Sequence, residues 1–199
     1  MIIGVINIKG GVGKTTSSLA IATAAQRSGL SVTVVDTDPQ GSATLWAQAA
    51  EDADDPLPFP VVSRNQAEIR RMRERRPDRN GELIVIDTPP NGTVVDEAIK
   101  TADFVVIPTL SSPIDLQQTM LTAAQCQDAG KDYAVLIVMA RKGTNALRAF
   151  RTAVEEYGAG IFDTEIPLRE DFKADFGHTF RSNLNGYEDV WNELRGELR

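Results

Sequence analysis

Five short apolar runs constrain this chain more than any other feature: Met1–Ile8, Ser31–Asp36, Glu82–Asp87, Asp103–Pro108 and Tyr133–Met139. They are rich in Val and Ile and nearly continuous. A strand with one wet face would alternate apolar and polar residues, whereas a continuous run predicts a strand covered on both faces, as in a parallel sheet flanked by its own crossover helices. Segments with helical spacing lie between and after them, at 14–28, 42–52, 65–76, 93–101, 115–129 and 144–157. Gly29, Gly130 and Gly158 stand where helix C-termini favour glycine. Phe59–Val62 and Gly160–Pro167 predict two further short edge strands. The alternation predicts an α/β fold: a single doubly wound, mostly parallel β-sheet with helices on both faces. It reads as one domain over residues 1–199, with acidic Glu51–Pro60 as an interior loop too short to link domains.

A chain of 199 residues buries a full core without disulfides or structural metal. The formal charge of −7 argues against a constitutively basic nucleic-acid coat or a polybasic membrane anchor, while leaving room for a local basic patch. The lone Cys126 permits no disulfide within the chain and no two-cysteine metal set in one subunit, which suits the cytoplasm. Neither it nor the lone His178 suggests chemistry. The expectation is a chain with no signal peptide, no N-terminal DNA-reading domain and no apolar stretch of the roughly 18 residues that a membrane helix needs.

The first run leads into Lys9–Thr16, KGGVGKTT. The general phosphate-binding loop reads G-x-x-x-x-G-K-[ST]; Gly13, Lys14 and Thr15 supply its end, but Ile8 stands where its first glycine belongs, and Lys9 is an additional cation. A glycine turn between strand and helix points several N–H groups inward and adds the partial positive charge of the helix N-terminus, which together attract phosphate oxygens. Gly10, Gly11 and Gly13 admit the ligand closely, Lys14 reaches the β/γ-phosphates, and the Thr15 hydroxyl is a ligand for Mg²⁺. Asp87, closing a buried strand, is the candidate to hold that metal through water. Asp36 and Asp38 leave the end of the second run, where Pro39 stops the strand. Asp38 is the candidate to orient or activate the attacking water, and Asp36 a supporting or metal-shell group. Aspartates are equally common in turns, and this stretch alone leaves the two readings balanced.

Together these residues resemble the ParA/MinD family of P-loop ATPases, whose deviant loop is written K-G-G-x-G-K-[ST]. Lys9–Thr16 matches every position; Val34–Trp46 and Leu83–Pro90 are similar to the second motif and the metal-binding strand, and Ala102–Thr119 and Thr164–Gly177 to later segments. The likeness is nearest to small ParA proteins of the ParF type. It implies that ATP and Mg²⁺ are bound through Lys9, Gly10, Gly11, Val12, Gly13, Lys14, Thr15 and Thr16, with the adenine near Arg141, Pro167 and Arg169. It implies that Lys9 crosses the interface of an ATP-bound homodimer to the phosphates of the other subunit, joining Lys14 and Asp38 in catalysis. It further implies non-specific DNA binding, a nucleoid-associated cytoplasmic protein, and a ParB/ParG-like centromere-binding adaptor that stimulates hydrolysis.

DNA contact needs clustered cations. Arg64–Arg79 carries seven arginines, also readable as a solvated helix face; Arg141, Lys142, Arg148, Arg151, Arg169 and Lys173 form the second and preferred set. The tail Gly186–Arg199 has Val190, Trp191, Leu194 and Leu198 at helical spacing, but Glu188, Asp189, Glu193 and Glu197 would be repelled by anionic lipid, so it predicts a packing helix and no membrane contact. Alternatives are a MinD-like or protein-cargo positioning ATPase, and a small-molecule ligase using the same loop.

Overall fold

The computed structural model describes residues 1–74, 81–169 and 175–197. Six strands build one sheet: β1 (Ile2–Val5), β2 (Ser31–Asp36), β3 (Val61–Ser63), β4 (Glu82–Asp87), β5 (Phe104–Thr109) and β6 (Asp132–Ile137). Their order is β3-β2-β4-β1-β5-β6, and every pair is parallel. Seven helices are described: α1 (Lys14–Arg27), α2 (Ser42–Asp52), α3 (Gln66–Glu74), α4 (Thr93–Thr101), α5 (Pro113–Asp128), α6 (Asn145–Glu156) and α7 (Tyr187–Glu197).

The continuous apolar runs serve both faces, as the period-two geometry of a strand demands. Ile3, Val5, Leu83 and Val85 pack with Leu19 and Ile21 of α1, Trp46 of α2 and Tyr187, Val190, Trp191 and Leu194 of α7. Their neighbours Ile2, Ile84 and Ile86 face the opposite way, against Ile69 of α3, Val95 and Ile99 of α4 and Ala123 of α5. The apolar side of α7 is therefore built into the core, as a packing helix requires; Leu198 lies outside the described residues. No helix among the described residues is long and apolar enough to cross a membrane.

Three departures from expectation have a visible local cause. β1 ends at Val5 rather than Ile8: Ile6 still donates to the Val106 carbonyl (2.9 Å), then the chain turns away into the glycine loop. Helix α5 begins two residues early, because Ser112 caps it, Pro113 occupies its first turn and Asp115 completes the capping box. Gly160–Pro167 is not a strand. It touches the sheet through isolated bridges, Val135 to Ile161 and Ala140 to Pro167, because the chain bends away between them.

Leu194 is fully buried between α7 and the sheet. Leu194→Ala should destabilise the protein by about 2–5 kcal/mol, read as a lower urea midpoint at unchanged slope.

Candidate functional site

Register brings the site together. Asp87 lies opposite Asp36 on one side and Val5 on the other, so the ends of β2, β4 and β1 open at a single edge of the sheet. The loop that follows β1 must then turn back over that edge. Gly13 makes this possible: it is the N-cap of α1 with φ 72°, a left-handed conformation open to glycine at no steric cost. Gly10 is different. Its φ is unremarkable, and a Cβ built on it would meet nothing within 4 Å. The fold itself gives Gly10 no reason to be glycine, so its bare backbone fits the approach of an external group such as phosphate.

The charged residues converge here. Lys14 is 7% exposed, and its ammonium donates to the Lys9 carbonyl (2.9 Å). Burial pushes its pKa down, against the opposing pull of Asp87 and Asp38. The Thr15 hydroxyl donates to Asp87 Oδ2 (2.7 Å) and the Ser18 hydroxyl to Asp87 Oδ1 (3.1 Å). Burial pushes the Asp87 carboxyl up to about 7, with Asp36 adding to the rise while Thr15, Ser18 and Lys14 oppose it. A hydroxyl and a buried carboxylate paired beside a phosphate loop are a donor set that suits Mg²⁺. Asp36 is equally buried but occupied: Oδ2 accepts from the Thr44 N–H and hydroxyl (2.8 Å each), and Oδ1 from the Asp38 N–H (3.1 Å). It shapes the β2–α2 turn. Asp38 is half-buried at that turn, near Lys14, and accepts from the Gln40 N–H (2.9 Å).

Lys9 does not project freely. Its ammonium forms an ion pair with Asp115 of the same chain, at the first turn of α5. Sequence reasoning missed Asp115 and Ser18. The S-P-I-D capping pattern marks Asp115 as a helix-start residue, but its meeting with Lys9, 106 positions away, is a tertiary event.

Beside the loop lies a cavity of about 150 Å³ lined by Gly13, Thr16, Val138, Met139, Pro167, Arg169 and Tyr187, among others. Pro167 and Arg169, two of the residues expected near the adenine, line it. Arg141 does not: it is exposed and outside the lining, because Met139 takes a left-handed turn (φ 52°) and Ala140 is drawn into pairing with Ile166 and Leu168. Tyr187 closes the far side, its hydroxyl bonded to Ser17 (2.8 Å) behind the loop.

Of the first basic set, three of the four described arginines pair with acids, while Arg71 is exposed. Arg64 pairs with Glu68 (3.6 Å), Arg70 with Glu74 (3.2 Å) and Arg73 with Glu97 (3.4 Å); Arg75, Arg76 and Arg79 lie outside the described residues. In the second, Arg141, Lys142, Arg148 and Arg169 are exposed, Arg151 is tied to Glu165 (3.3 Å), and Lys173 is outside the described residues. His178 stands 3.5 Å from Asp55, and Cys126 is buried.

An all-parallel sheet with a glycine loop at its carboxyl edge defines a P-loop nucleotide-binding fold. The chain belongs to the CobQ/CobB/MinD/ParA nucleotide-binding domain family, whose model matches residues 3–179. It is 29% identical over 179 residues to the maintenance of carboxysome distribution protein A of Halothiobacillus neapolitanus, covering 86% of this chain and 81% of the relative. With the protein of the same name from Gloeobacter kilaueensis it shares 34% identity over 170 residues, 83% of this chain and 76% of the relative. A plasmid partition protein from Borrelia burgdorferi, solved bound to AMPPNP, superposes with a TM-score of 0.73 at 18% identity, covering 98% of each chain.

Because the folded Asp87 carboxyl titrates near 7 and its ordinary value is 3.8, the folded chain keeps a proton there that the unfolded chain has lost. The contribution of this group to stability is complete below about pH 4 and is lost as pH rises through about 7, on the order of a few kcal/mol. Urea unfolding of nucleotide-free protein should show this loss between pH 4 and 8, and Asp87→Asn should remove it.

Proposed function

We propose that this chain is a positioning ATPase: it dimerises on ATP-Mg²⁺, the dimer holds DNA without sequence preference, and hydrolysis stimulated by a DNA-bound ParB/ParG-like partner releases it. The observation that carries the reading is the loop Lys9–Thr15 lying against Asp87, Asp38 and an apolar cavity. The backbone amides from Gly10 to Thr16, with Val12 among them, and the Lys14 ammonium hold the phosphates. Thr15 and Asp87 would hold the metal, which would supply positive charge to offset the negative charge of the phosphates. Asp36 keeps the β2–α2 turn in shape, through Thr44 and the Asp38 amide. Asp38 orients the attacking water. Pro167, Arg169 and Tyr187 enclose the base, and Lys9 meets the phosphates of a second copy.

Two triphosphates facing each other concentrate negative charge, and a lysine given from each side offsets it; loss of the γ-phosphate then loosens the dimer. The exposed cations Arg141, Lys142 and Arg148 are the preferred DNA contacts, since dimerisation doubles them and the α3 arginines are mostly paired with acids. The cargo is plasmid or chromosomal DNA, or a protein assembly. The protein-cargo reading is favoured by the two carboxysome distribution relatives. A membrane-cycling reading is disfavoured, because Val190, Trp191 and Leu194 are buried in the core.

Sedimentation with plasmid DNA should show co-migration with a non-hydrolysable ATP analogue and not with ADP. The apparent affinity should fall about a thousandfold between about 50 and 200 mM salt for about six phosphate contacts. ATP-independent or salt-insensitive behaviour contradicts the reading. Asp38→Ala should retain nucleotide binding and lower turnover at least about a hundredfold, accumulating dimer; turnover equal to the unmodified protein removes Asp38 from the mechanism.

A further inference from the structure

Asp87 is gripped by one helix at two depths. Its backbone is fixed first: the carbonyl accepts from the Thr37 N–H (3.0 Å) and the Thr37 hydroxyl (2.7 Å), at the end of a strand paired on both sides. Its buried side chain then meets α1, where Thr15 donates to Oδ2 (2.7 Å) and Ser18 to Oδ1 (3.1 Å). Residues three apart share a helix face, so both hydroxyls reach the same carboxylate. Their surroundings differ. Thr15 is half-buried at the loop, whereas Ser18 is fully buried one turn further along. The carboxylate has no exposed surface of its own, so the Thr15 side is the one open to a cation.

Helix formation does not ask for a serine at this place. Alanine is the better helix former, and a buried hydroxyl has to be satisfied. Ser18 also donates back to the Lys14 carbonyl (3.0 Å), as serines inside helices do. A hydroxyl has one proton, so that back-bond and the bond to Asp87 compete for it. Beside a cation, the carboxylate is the stronger acceptor of the two.

We propose that Ser18 is a positioning residue for the metal: by holding Oδ1 it leaves Oδ2, the oxygen beside Thr15, as the one that Asp87 presents to Mg²⁺. The inference rests on the reading of Thr15 and Asp87 as the groups that hold the metal. Thr15 has two tasks in that reading, and once its oxygen faces a cation it no longer fixes the carboxylate alone. The terminal torsion of an aspartate is soft, so a carboxylate held by one donor turns easily. Ser18 supplies the second hold. It bonds to Asp87 and to its own helix, and acts only through the carboxylate.

The test measures the affinity of a ribose-labelled, non-hydrolysable ATP analogue across a Mg²⁺ series and in EDTA. Groups that orient a metal ligand are worth about 10–100-fold in metal affinity, and the shared proton puts Ser18 at the low end. Ser18→Ala should need about tenfold more Mg²⁺ to reach half of its effect, while affinity in EDTA stays within about twofold. Ser18→Cys fills the same space with a weak donor and should behave like Ser18→Ala, whereas Ser18→Thr keeps the hydroxyl and should restore the ordinary requirement. In an Asp87→Asn background, Ser18→Ala should add nothing, since the serine has no other route to the metal. If Ser18→Thr melts early because its methyl does not fit, the Ala and Cys variants still decide. An unchanged Mg²⁺ requirement in Ser18→Ala, an ordinary one in Ser18→Cys, or an equal loss of affinity in EDTA overturns the role of Ser18 alone. Nucleotide affinity of the unmodified protein that ignores Mg²⁺ overturns both that role and the metal reading beneath it.

Discussion

The parallel register of β2, β4 and β1 is the constraint on which the rest of this molecule depends. All three strands end at the same edge, so Asp36, Asp87 and the start of the glycine loop arrive there together. A slip of one residue would turn Asp87 to the opposite face of the sheet, beyond reach of Thr15 and Ser18 on α1. The same register lets Ile3, Val5, Leu83 and Val85 line one core while Ile2, Ile84 and Ile86 line the other. Fold stability and site geometry are thus two consequences of one pairing pattern.

At that edge the positive and negative groups are matched before any ligand arrives. Lys14 rests on a backbone carbonyl within the field of Asp87 and Asp38, Lys9 is paired with Asp115, and Asp36 is saturated by Thr44 and the Asp38 amide. Burial sharpens the balance: it disfavours the charged form of both Lys14 and Asp87. A phosphate entering such a site exchanges one set of charge contacts for another. On the proposed function, binding energy would depend on how many phosphates are offered, which is the property a nucleotide-controlled switch needs.

The C-terminal part of the chain completes this arrangement from a distance. Tyr187 at the head of α7 reaches Ser17 behind the loop, and Arg27 at the end of α1 donates to the carbonyls of Phe180, Arg181 and Ser182. Trp46 on α2 stacks near Phe176 and Phe180, at 5.4 and 5.3 Å between ring centroids, so the helix that follows the Asp36–Asp38 turn is anchored to the same segment. Tyr187 also lines the cavity beside the loop, so this late segment closes one of its sides.

What the amino-acid sequence determined alone is whatever rests on local spacing. Continuous Val/Ile runs identified every central strand, glycine and lysine spacing identified the turn that joins β1 to α1, and the apolar spacing of Val190, Trp191 and Leu194 identified a packing helix, because each signal lies within a few residues of the element it describes. Tertiary structure decided what depends on distant segments meeting. It left Gly160–Pro167 with two bridges instead of a strand, turned Arg141 away from the cavity through the left-handed Met139, and set Lys9 against a carboxylate on α5. The physical reason is that side-chain pairing across the fold is selected by register and helix placement, and a one-dimensional pattern carries no record of which distant carboxylate a given lysine will reach.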